Sequence, residues 1–146
     1  MAESKKNKTR ELRVKSRTDN LSLIRDFVSE NAINAGIEQT TVDKIMLAVD
    51  EACTNIIKHA YKSSPEGEII LNIEFDEETF TITIIDYGQS FEPDSVPLPD
   101  LQKYYREHKV GGLGMYLMKS LMDDVKYTSV PGKYNRVLLS KNIRGS

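Results

Sequence analysis

Ile69-Ile-Leu-Asn-Ile-Glu-Phe75, then Asp76-Glu-Glu78, then Thr79-Phe-Thr-Ile-Thr-Ile-Ile-Asp86: the reading of this stretch decides the fold. Ile69, Leu71, Ile73 and Phe75 alternate with Ile70, Asn72, Glu74 and Asp76, the period of a strand with one face in a core. Phe80, Ile82 and Ile84 repeat the pattern. Only the polar residues around Glu77 and Glu78 intervene, so the two strands are expected to pair as an antiparallel hairpin ending at Asp86.

Helices must cover the buried face, and both flanks supply them. Upstream, Thr40 and Asp43 resemble a capping box opening a helix that should run to about Tyr61, where Ser63, Ser64, Pro65 and Gly67 break it. Val42, Ile45, Val49, Cys53, Ile56 and Ala60 form its core stripe. Before it, Leu21, Ile24, Phe27 and Val28 stripe a first helix. Thr18, Asp19 and Asn20 offer that helix capping oxygens, and Gly36 suits the left-handed position past its end. Residues 11–16 alternate as a short strand. Downstream, a third helix begins near Gly112 with Leu113, Tyr116, Leu117 and Leu121 on one face. Residues 125–130 and 136–140 read as two last strands around a Pro131-Gly132 turn. The expected architecture is α+β, helices on one face of a mixed, mostly antiparallel sheet. Residues 1–9 read as a basic polar tail and 10–146 as a single domain without internal repeat.

Twenty basic and twenty-two acidic side chains leave a formal charge of -2, no electrostatic case for nucleic acid or membrane as the main partner. The polar N-terminus has no apolar segment behind it and no stretch reaches membrane-spanning length, so a cytoplasmic protein is expected. Cys53 cannot form an internal disulfide, and its place in an apolar stripe predicts a buried thiol.

On the second helix Glu51, Asn55 and His59 fall on a stripe distinct from the core face, beside the small residues Ala48 and Ala52. An amide oxygen can join phosphate oxygens and water around Mg²⁺, and a carboxylate can take a proton from an attacking hydroxyl or water. A solvated polar face would show the same spacing. Two glycine signals favour the chemical reading. Asp86-Tyr87-Gly88 ends an apolar strand, where a carboxylate can accept from an exocyclic amine, although Asp-x-Gly is also a common plain turn. Gly111-Gly112-Leu113-Gly114 opens an amphipathic helix, whose free N–H groups and about half a positive charge favour an anion. Between these signals, residues 89–110 carry Pro93, Pro97 and Pro99 and a short helical piece expected around residues 101–105. Loops of this length are often functional, and Arg106, His108 and Lys109 could add charge as it closes over a nucleotide. Neither the Rossmann nor the P-loop pattern is met, and no Cys/His metal-ligand cluster or Ser/His/Asp arrangement is supported by spacing.

Taken in order, Glu51-Ala-Cys-Thr-Asn-Ile-Ile-Lys-His-Ala-Tyr61 resembles the N box of GHKL ATP-binding domains, Asp86-Tyr-Gly88 the G1 box, and Gly111-Gly-Leu-Gly-Met115 the G2 box. The nearest version of that family is the anti-sigma-factor serine-protein kinase group. The resemblance implies a two-layer α/β sandwich of Bergerat, histidine-kinase-like ATPase type that uses ATP and Mg²⁺. Such a protein phosphorylates a serine on a small anti-anti-sigma (STAS-type) partner, otherwise sequesters a sigma factor, and works as a homodimer. By the same resemblance Glu51 is the base, Asn55 the Mg²⁺ ligand and Asp86 the adenine contact. Gly88, Gly112, Leu113 and Gly114 shape the pocket, His59 lines it, and Arg106 and Lys109 are lid residues for the phosphates. Where many relatives carry Gly-Thr at the start of the last strand, Tyr134-Asn135 stands here, and Asn135 can still hydrogen-bond near adenine. The alternative is a non-catalytic nucleotide- or protein-binding regulator of a partner-switching pathway. Glu51 favours the kinase, because a pure binding module needs no base.

Overall fold

The structure is a computed structural model that describes residues 8–90 and 114–143. Five strands form one sheet in the order β1-β2-β3-β5-β4: β1 (Lys8–Lys15), β2 (Glu68–Phe75), β3 (Thr79–Asp86), β4 (Asp124–Val130) and β5 (Tyr134–Asn142). Three described α-helices accompany the sheet, α1 (Leu21–Asn34), α2 (Gln39–Asn55) and α3 (Gly114–Leu121), with α2 packed against both α1 and α3. This is the expected α+β architecture, with one change. Every described strand pair is antiparallel, where a mixed, mostly antiparallel sheet was expected.

The β2–β3 hairpin forms as its alternation demands. Ile69, Leu71, Ile73, Phe80, Ile82 and Ile84 are all fully buried on one face, and the Phe75 and Phe80 rings stack with centroids 5.8 Å apart. Burying each such side chain contributes about 1.5–3 kcal/mol. Asp76 closes the turn, its Oδ1 accepting from the Glu78 and Thr79 amides at 2.8 Å each, and those bonds hold its carboxyl below the usual range. At the other hairpin Gly132 sits at φ +77 between β4 and β5, and Gly36 at φ +82 terminates α1, both as their glycines suggest.

The helix starts depart from expectation. Neither α1 nor α2 has a side-chain cap. A 3-10 turn, Thr18–Asn20, leads into α1, and Asn20 donates instead to the Lys15 carbonyl at 2.9 Å. The expected capping box is replaced by side-chain pairing: Gln39 donates to Asp43 at 2.9 Å and Thr40 to Glu38 at 3.3 Å. β1 begins at Lys8, ahead of the strand read at 11–16, because its register with β2 reaches Phe75. Ala48 and Ala52 are buried, so the core face of α2 is broader than its predicted stripe. Cys53 is fully buried, and burial pushes its thiol far up, leaving an inert side chain.

Candidate functional site

The α-helical hydrogen bonding of α2 stops at Asn55, and residues Ile56–Ala60 form a π turn closed by the Tyr61 amide on the Ile56 carbonyl at 3.0 Å. Such turns admit an extra residue and often mark functional sites. Glu51 and Asn55 precede it at i and i+4, on one side of the helix. Asn55 is 6% exposed, and its Oδ1 is buried without a hydrogen-bond partner among the described residues. A buried amide oxygen left unmet costs about 1–3 kcal/mol, so a partner from outside the described residues is implied. Glu51 is half-buried, and no hydrogen bond or ion pair within the described residues ties it down. Burial, then the neighbouring Asp50 charge, push its carboxyl up, against a smaller pull from Lys58. His59 lies within the widened turn and is exposed.

At the end of the central strand β3, Asp86 is 2% exposed. Its Oδ1 accepts from the Gly88 amide at 2.9 Å and from Asn135 Nδ2 at 2.8 Å. Asn135, opposite Asp86 in the β3–β5 register, also donates to the Gly88 carbonyl at 3.1 Å. Its Oδ1 accepts from the Ser129 hydroxyl at 2.7 Å, with Ser90 Oγ 3.3 Å away. Both amide hydrogens and the amide oxygen are therefore committed, which also settles the amide's orientation. Burial pushes the Asp86 carboxyl up, while the Asn135 and Gly88 donors pull it back. No hydrogen bond from the described residues ends on its Oδ2.

Gly88 needs its missing side chain for a different reason than a turn: a Cβ there would fall 2.5 Å from the Ala60 carbonyl oxygen. Gln89 donates its amide to that same oxygen at 2.7 Å. The Asp86–Gly88 turn is thus pressed against the end of the π turn, which brings the α2 pair and the β3 aspartate to one region. Gly111, Gly112, Leu113, Arg106, His108 and Lys109, the expected helical piece around 101–105, and the side chains of Tyr116 and Leu117 lie outside the described residues; Gly114 is the first residue of α3. Ser129 was missed in the sequence. The three-residue loop 131–133 pairs Val130 with Tyr134 and so Ser129 with Asn135, a relation that depends on the exact hairpin register. Among the described residues no three His, Cys, Asp or Glu side chains gather to hold a metal, and no helix is long and apolar enough to cross a membrane.

The histidine kinase-like ATPase domain profile matches residues 14–141. The chain is 33% identical over 140 residues to the serine-protein kinase RsbW of Bacillus subtilis (strain 168), covering 92% of this chain and 86% of that protein. It is 32% identical over 119 residues to the serine-protein kinase RsbW of Listeria monocytogenes, covering 79% and 76%. Among solved structures, the crystal structure of the RsbU and RsbW domains of Rv1364c from Mycobacterium tuberculosis superposes with a TM-score of 0.68 at 13% identity. That match spans 95% of this chain and 34% of the other, and shows the shared fold.

Proposed function

Because the chain belongs to the histidine kinase-like ATPase domain family, we propose that it is an ATP-dependent serine-protein kinase that also acts as an anti-sigma factor. The observation that carries this reading is the pair on α2: a carboxylate with raised proton affinity beside a buried amide oxygen that nothing among the described residues satisfies.

Asp86 offers its Oδ2 to the exocyclic amine of adenine, while its Oδ1 is held by Gly88 and Asn135. Asn135 works through Asp86 rather than on the base, since its own donors are spent. Mg²⁺ fits the Asn55 oxygen, with the remaining ligands from nucleotide phosphates and water, and when bound it neutralises phosphate charge. Glu51 then serves as base. The serine hydroxyl of the substrate protein gives its proton to Glu51 as its oxygen bonds the γ-phosphorus; the bond from that phosphorus to the β–γ bridging oxygen breaks, and ADP leaves. A base whose carboxyl is raised matches this task better than an ordinary surface glutamate.

The remaining parts rest on the sequence resemblance. They are Gly112, Leu113 and Gly114 at the phosphates, Arg106 and Lys109 as a lid, His59 as a lining residue, residues 10–146 as one domain, a homodimer, and a cytoplasmic location. The partners we propose are a small anti-anti-sigma protein as substrate and a sigma factor as the sequestered ligand. Incubating the protein with Mg-ATP and such an anti-anti-sigma protein should yield phosphoserine on the latter. Nucleotide binding without any phosphoserine would instead mark a non-catalytic regulator.

A further inference from the structure

We propose that Tyr61 is a positioning residue for the nucleotide, one that sets the distance between the base-binding turn at Asp86 and the metal-binding end of α2. This rests on the ATP reading above and adds a residue to which that reading assigns no role. Three observations carry it.

Tyr61 stands directly behind the π turn and closes it through its backbone amide. Its ring lies against Gly67, where any Cβ would collide with it, so the ring's place is set by close packing. Its hydroxyl donates to the Glu68 carbonyl at 2.5 Å and accepts from the Glu68 amide at 3.2 Å and the Tyr87 amide at 2.8 Å.

Ile69 pairs with Asp86 in the β2–β3 ladder, so Glu68 and Tyr87 are the next residues where the two strands part. The phenol inserts at that point and uses its donor and both lone pairs. The Tyr87 side chain is 53% exposed, so what Tyr61 holds is the backbone one residue past Asp86. With the Gln89 amide on the Ala60 carbonyl, the Asp86–Gly88 turn is fastened on both flanks to Ala60 and Tyr61. Those residues end the helix that carries Glu51 and Asn55. A ligand gripped at base and phosphate together benefits only when the two grips are correctly spaced.

A spacing role and a merely structural one are separated by probes that use one grip or both. Tyr61→Phe keeps the ring on Gly67 and removes the hydroxyl. Binding of Mg-ATP, of adenosine and of Mg-tripolyphosphate is measured by displacement of a fluorescent ATP analogue, with thermal unfolding followed alongside. Mg-ATP should weaken about tenfold, the scale of one lost hydrogen-bond junction, while adenosine and Mg-tripolyphosphate each stay within about twofold. Equal weakening of all three, or unchanged Mg-ATP affinity, would overturn the proposal and leave the ATP reading standing. A wild-type protein that binds no Mg-ATP would overturn both. Gly67→Ala pushes the ring aside with the hydroxyl intact and should reproduce the selective loss; should Tyr61→Phe not fold, this variant alone decides the matter by the same outcomes.

Discussion

The two ends of the candidate site are built on opposite principles. Around Asp86 every polar atom of Asn135 is spent, and the neighbouring hydroxyls of Ser129 and Ser90 complete the set. On α2, just before the π turn, Glu51 has no fixed partner and Asn55 Oδ1 is buried with none among the described residues. The first end is braced around Asp86 Oδ1 with Oδ2 left open, as would suit the base recognition we propose for it. The second is left incomplete in the atoms to which we assign a cation and a proton, and on that assignment stability is forgone there for chemistry.

The largest break in this contrast should come from Glu51→Gln, which keeps the shape and removes the base. Serine phosphorylation should fall by about 10²–10⁴-fold while Mg-ATP affinity holds, measured by single-turnover transfer and calorimetry. A wild-type transfer rate in that variant would take the base role from Glu51. In the unsubstituted protein the deprotonated carboxylate is the active form, so transfer should rise with pH. Because burial raises this carboxyl, the rise should centre above the ordinary glutamate range, and a pH-flat rate would contradict it.

Next in size is Asn135→Ala, which strips Asp86 of a donor and leaves the Ser129 hydroxyl with Ser90 Oγ alone, 2.7 Å away. Folding stability should drop by about 1–3 kcal/mol in urea titrations, and the preference for ATP over GTP should shrink with it. An unchanged preference would mean that Asp86 needs no positioning. The smallest effect on folding should come from Asn55→Ala. Removing an oxygen that has no partner should cost the apo protein less than about 1 kcal/mol, yet weaken Mg-ATP more than metal-free ATP. If Asn55→Ala destabilises as much as Asn135→Ala, the two ends are not different in kind.

How legible each end was in the sequence follows the same division. Glu51 and Asn55 share a helix, and their relation is a matter of local spacing that four residues encode. The hairpin was equally plain, because Ile69 to Phe75 and Phe80 to Ile84 state their period directly. Asn135 belongs to a relation across 49 residues, Asp86 to Asn135, that depends on β5 lying next to β3, and no local pattern announces strand order. The π turn was invisible for a related reason: the residues Ile56 to Ala60 have ordinary helical character, and the wider turn accompanies tertiary contacts of Ala60 with Gly88 and Gln89. The helix caps failed in the other direction. Asn20 and Thr40 both have capping oxygens, but the Asn20 amide turns to the Lys15 carbonyl at the end of β1 and the Thr40 hydroxyl to Glu38.

β3 lies in the middle of the sheet, with β2 on one side and β5 on the other. Amides of a strand flanked on both sides exchange with solvent only through openings that approach unfolding of the whole domain. Asp86, as the last residue of that strand, inherits its cooperativity. A molecule therefore carries either an intact Asp86–Gly88 turn, to which we assign base recognition, or no folded sheet, and a protease or chaperone sampling the chain would meet those two forms and few between.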